Sequence, residues 1–141
     1  MKKLIFLFVL IAGSFTVNAQ TSLKSQYGNT VDTVTNAATK YLTLSQSLAG
    51  YYKTLAVSVT VTEISGTTGG TVSLEASLDG TNWYSVYTSM DTSYTFTPAD
   101  VSTAQSFRFT IPAWADKNVR VKYVGTGTMS AKVSASLIAR N

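Results

Sequence analysis

The sequence has no cysteine and no histidine, only two prolines, and charged side chains at just 13% of its 141 positions. Without cysteine there is no disulfide framework, no thiolate metal site and no cysteine for a lipid to be attached to. Without histidine the commonest metal ligand and the commonest general base are missing together. A serine nucleophile then has no imidazole to activate it, and the one "SLKS" string, Ser22 to Ser25, lies near the N-terminus outside any helical setting. The acids Asp32, Glu63, Glu75, Asp79, Asp91, Asp100 and Asp116 are scattered, with no run resembling a calcium loop. A hydrolase would need two of them to converge in space, and nothing in the spacing favours a pair. Glycine-rich "GTTGG" and "GTGT" lack the strand-to-helix context of a phosphate cradle. The expectation is a chain without catalytic residues, metal or cofactor.

The N-terminus reads as targeting. Lys2 and Lys3 precede an apolar run from Leu4 to Ala12, and small residues at Val17 and Ala19 suit cleavage after Ala19. That run is short for a bilayer span, and nothing later resembles one. Residues 1–19 are therefore expected to be a signal peptide or hydrophobic leader, 20–29 a flexible N-terminal segment, and 30–141 a single domain. The whole chain carries a net charge of +4; removing Lys2 and Lys3 leaves 9 basic against 7 acidic residues, a net of +2. That is too little to argue for nucleic acid. Few charges also mean that Ser, Thr and Asn must face the water.

What the chain does have is period-two alternation nearly throughout. In "TLAVSVTVTEI" Leu55, Val57, Val59 and Val61 share one face; "TVSLEASL" places Val72, Leu74, Ala76 and Leu78 together; "NVRVKYV" and "TMSAKVSASLI" repeat the pattern. Weaker strands are expected near 31–35, 40–44, 94–97 and 107–111. Gly66 to Gly70, Asp79-Gly80 and Gly125 to Thr128 mark turns, Asp79-Gly80 suiting a tight hairpin, and Pro98 and Pro112 fall at segment ends. No window has a helical period of usable length. Eight or so short strands with polar outer faces predict an all-β chain, one antiparallel β-sandwich, jelly-roll-like or alternatively immunoglobulin-like.

The aromatics are the candidate contacts. After the turn in "SLDGTNWYSVYT", Val86 argues that Tyr84 and Val86 point inward, leaving Trp83 and Tyr87 outward on either side of Ser85, a pair on which a sugar ring could stack. A one-residue slip would instead put Trp83 into the core, the commoner fate of tryptophan in a small sandwich. Trp114, in "IPAWADKN", reads either as a loop contact or as an anchor over the core. One of Tyr51 and Tyr52 should face out at the start of a strand. Arg120 and Lys122 share an outer face, read as protection of a sheet edge rather than as a ligand stripe.

The string "SLDGTNW" resembles the hairpin of discoidin-type and related carbohydrate-binding sandwiches, in which this tryptophan is structural and ligands bind at other loops; no binding residue transfers. On a larger scale, "VTEISGTTGGTVSLEASLDGTNWYSV" and "VRVKYVGTGTMSAKVSASLIAR" resemble small β-sandwich proteins of phages of Bacteroidetes-type bacteria. That likeness implies a virion structural, decoration or fibre role, from which an export leader departs. The expected function is a non-catalytic structural or adhesive protein, exported or virion-borne, working as a homo-oligomer or in a larger assembly. The alternative is a secreted carbohydrate-binding module whose partner is a cell-surface glycan.

Overall fold

The computed structural model describes residues 20–87 and 93–141; the expected leader lies outside them. Ten strands follow one another: β1 (Thr21–Ser22), β2 (Val31–Thr35), β3 (Thr39–Thr43), β4 (Tyr52–Gly66), β5 (Thr71–Ser77), β6 (Tyr84–Ser85), β7 (Thr95–Phe96), β8 (Gln105–Trp114), β9 (Asn118–Val124) and β10 (Met129–Arg140). They form two antiparallel sheets. In the first, β10 and β4 are central, β8 is one edge, and β1 and β2 share the other edge along β10. In the second, β9 and β5 are central, β3 is one edge, and β6 and β7 share the edge along β5. Apart from the β5–β6–β7 run and the step from β1 to β2, successive strands alternate between the sheets. This order is that of a jelly roll, and it decides against the immunoglobulin-like alternative.

The alternation seen in the sequence becomes the core. Leu55, Val57, Val59 and Val61 of β4 face Val72, Leu74 and Ala76 of β5 and Val119, Val121 and Tyr123 of β9, all fully or almost fully buried. Ala131, Val133, Ala135 and Leu137 of β10 continue the layer beside β4, with Val133 opposite Val61 and Leu137 opposite Val57. Burial on this scale, about 1.5–3 kcal/mol for each large aliphatic side chain, supplies the cohesion that disulfides would otherwise add. The register shifts between Ser130 and Ala131, so that Ile64 falls out of the pairing and is half exposed. Gly70, at φ +106°, closes the β4–β5 loop so tightly that a Cβ there would stand 2.1 Å from the Val124 carbonyl oxygen. Only glycine fits.

Four expectations need correction. Residues 20–29 are tied to the sandwich: Thr21 and Ser22 pair with β10, Leu23 is fully buried, and Lys24 exchanges two backbone hydrogen bonds with Thr43. A leucine flanked by polar residues was enough to anchor a segment that alternation alone did not reveal. Leu78 is not a core residue but 61% exposed, because β5 ends at Ser77. The turn at Asp79-Gly80 is a longer loop, Leu78 to Trp83, rather than a two-residue hairpin. Finally, β8 runs through Pro112 to Trp114, which an edge strand tolerates because the missing N–H faces no partner.

Candidate functional site

The loop Leu78–Trp83 is built around Asp79. Its Oδ1 accepts the backbone N–H groups of Thr81 and Asn82 at 2.8 and 2.7 Å and the Ser77 hydroxyl at 3.0 Å, while Oδ2 accepts the Asn82 amide. The backbone donors of Asn82 and Thr81 hold this carboxyl well below the usual aspartate range. Gly80 takes φ +76°, and its carbonyl accepts the indole N–H of Trp83 at 3.2 Å. The loop thereby fixes the backbone just ahead of β6, and Trp83 leaves it over the outer face of the second sheet.

There the ring meets Arg120. The guanidinium carbon lies 4.1 Å from the centroid of Trp83 and 4.1 Å from that of Tyr41. Strand pairing explains the meeting. Residues directly opposite one another in an antiparallel pair share a face, and the registers Lys24–Thr43, Thr43–Arg120, Arg120–Glu75 and Glu75–Ser85 form one row across the sheet. Tyr41, Lys122 and Ser73 form the next row. Glu75, only 7% exposed, holds the centre: one of its oxygens takes Arg120 Nε and Nη2 at 2.7 and 2.6 Å, the other takes Lys122 Nζ at 3.2 Å. The guanidinium is thus held by two aromatic rings and, at its polar edge, by a carboxylate. Its geometry is set by these intramolecular contacts alone.

The residues singled out from sequence separate sharply. Trp83 is outward and half-buried in this stack. Tyr87 is 58% exposed, but it lies beyond the point where the chain leaves β5 and bridges Ser93 instead; the ring that joins Trp83 is Tyr41. Trp114 does not present a contact surface: it is 2% exposed, and its indole N–H donates to the Asp116 carbonyl at 2.7 Å. Tyr51 is 61% exposed, whereas Tyr52 packs on the core and donates its hydroxyl to the Ala49 carbonyl. Val86 points inward as expected, and Tyr84, opposite the buried Ala76, lies on the same side at the edge of the sheet. Its ring is 46% exposed and its hydroxyl donates to Asp116, with desolvation and that carboxylate pushing it up to about 12.

Arg120 and Lys122 do not guard an edge. Strand β9 lies inside the sheet between β3 and β5, so their outer face is the centre of a surface. The grouping of Arg120 with Tyr41 and Glu75 was not visible in the sequence because the three lie far apart along the chain. The available signal was Arg120 among alternating valines, next to the inference that Trp83 points out. Three other acids have partners of their own: Asp32 faces Lys40 at 3.7 Å, Asp100 accepts the Thr68 N–H, and Asp116 takes Tyr84. Among the described residues no group of three or more acids gathers as metal ligands would.

No protein-family model matches this chain, and no curated protein sequence does. Solved structures do share its fold. A family 4 carbohydrate-binding module is 14% identical, with 92% of this chain and 83% of that chain covered and a TM-score of 0.50. The PBSX exported protein XepA is 12% identical over 86% of this chain and 37% of its own, at a TM-score of 0.55. The K1 cleaved adhesin domain of Lys-gingipain from Porphyromonas gingivalis W83 is 11% identical over 86% and 82%, at 0.54. At these identities the likeness is one of fold alone.

Proposed function

We propose that this chain is a non-catalytic, exported carbohydrate-binding domain, gripping glycan on the outer face of the second sheet with Tyr41, Trp83 and Arg120. The observation that carries the proposal is the clamped guanidinium, 4.1 Å from both rings and locked to Glu75. Sugar recognition asks for an apolar flat surface against C–H groups, with fixed planar donors at its rim for hydroxyls. This row offers both, and Ser73, Thr43 and Ser85 add hydroxyls on the same face. The glycan is held by surface complementarity alone, with no bond made or broken. Support also comes from the fold shared with a carbohydrate-binding module.

The test is affinity electrophoresis through gels containing plant and bacterial polysaccharides. Retardation that disappears in Trp83→Ala and Tyr41→Ala, with unchanged circular dichroism, is the expected result. Retardation that survives both substitutions would place binding elsewhere.

A second reading, a structural or adhesive unit of a larger exported or virion-borne assembly, draws on the exposed rings of Tyr27 and Tyr51, 74% and 61% accessible, and on the fold shared with an adhesin domain. It predicts a concentration-independent oligomer in light scattering, dissociated by Tyr51→Ala. A monomer at all concentrations counts against it.

A further inference from the structure

We infer that the glycan is anionic, and that its charged substituent is received at the β3 edge beside Tyr41. The inference rests on the carbohydrate-binding reading above. Four cations are grouped about Tyr41: Lys24 and Lys40 line a pocket with it, Arg120 stacks on its ring and Lys122 lies opposite it in the sheet, against two acids, Asp32 and Glu75. Both acids are spent on ion pairs within this group. After residue 19 the remaining five basic residues are balanced by the remaining five acids, so the excess of two positive charges is the excess of this patch.

Position matters as well as number. Lys24 lies opposite Thr43 through a reciprocal backbone pair, with N–O distances of 2.8 and 2.7 Å, so its side chain shares the outer face with Arg120. It has no ion-pair partner among the described residues. Beside it a pocket of about 160 Å³ opens at the sheet edge, lined by Lys24, Asp32, Lys40 and Tyr41 among others. Tyr41 is the shared wall: one neighbour is the Arg120–Trp83 stack, the other this pocket. A cavity of that size is too small for a whole ligand but suits one substituent of a chain lying across the aromatic row. A carboxylate or sulfate placed there would meet unpaired Lys24, and its attraction would weaken with added salt.

The probes are polygalacturonate, the same polymer with its carboxyls reduced to alcohols, and dextran sulfate against dextran, with binding to the full chain followed by titration calorimetry. The expected result is binding of polygalacturonate that falls at least tenfold on carboxyl reduction, and at least threefold in Lys24→Gln. Lys132→Gln, which removes the same charge from the other sheet, should leave it unchanged. Preference for dextran sulfate over polygalacturonate with the same Lys24 dependence would assign the pocket to sulfate. Equal binding of the reduced polymer, still lost in Trp83→Ala, would overturn the anionic assignment and leave glycan binding standing. Equal weakening by Lys24→Gln and Lys132→Gln would overturn it as nonspecific charge attraction. Binding of none of the polymers, charged or neutral, would overturn it together with the reading it rests on.

Discussion

The two sheets have matching inner faces and dissimilar outer ones. Inside, both present mainly valine, leucine and alanine at alternate positions. Outside, the first sheet carries mostly small hydroxyls, with Arg108 and Lys132 among them: Ser58 lies between Arg108 and Ser136, and Thr60 between Ser106 and Ser134, its hydroxyl 3.0 Å from that of Ser106. The second sheet has Tyr41, Arg120, Glu75 and Lys122 at the equivalent depth, with Trp83 laid over them. Packing explains the run of hydroxyls on the first sheet, since short polar side chains cover a solvated face without competing for the core. It does not explain the second. Desolvating Glu75 and ordering three long side chains costs free energy that solvated hydroxyls avoid, which is the physical reason to look for a ligand there.

Each sheet also supplies one tryptophan context, and the two should respond differently to truncation. Trp114→Ala, which empties a buried site at the end of β8, is expected to lower unfolding free energy by about 3–5 kcal/mol in denaturant titration. Glu75→Gln leaves Arg120 and Lys122 side by side without their shared carboxylate. Because Lys122 keeps contact with water, the loss should be about 2–3 kcal/mol, below the full range for a buried pair. Trp83→Ala removes only an outer cation–π contact and its packing, so about 1–2 kcal/mol is expected, with glycan affinity abolished. A Trp83 variant as unstable as the Trp114 variant would erase the distinction between the two faces.

Smaller effects sharpen the contrast. The Tyr84 hydroxyl titrates near 12 in the folded chain against 10.0 for the free side chain. Its contribution is therefore fully present below pH 10 and lost as pH rises towards 12, and Tyr84→Phe should flatten that alkaline decline in thermal melts. On the first sheet, Ser58→Ala should change stability by less than about 0.5 kcal/mol and leave glycan binding untouched.

Much of the sandwich was legible because burial imposes a period that residues such as Val57, Val59 and Val61 display directly. Strand β2, expected near 31–35, is found there although only Val34 of its side chains is buried. The fate of the two tryptophans was not legible. Trp83 follows a loop whose length is set by Asp79 hydrogen bonds rather than by hairpin geometry, and one residue of slip reverses its direction. Trp114 follows a proline that reads as a strand end, yet β8 is an edge and continues through it. The site itself was hidden by long-range pairing: only when β3, β9 and β5 lie side by side do Tyr41, Arg120 and Glu75 become neighbours. Leu23, a single apolar residue before a polar stretch, carried no periodic signal at all.

The chain has two tryptophans, hence two indole N–H resonances, one from each context. Titrating polygalacturonate into the nitrogen-15-labelled protein and following those two signals tests the central claim most directly. The expected result is that the Trp83 indole shifts progressively while the Trp114 indole stays in place. Glycan binding that leaves the Trp83 resonance unmoved would contradict it.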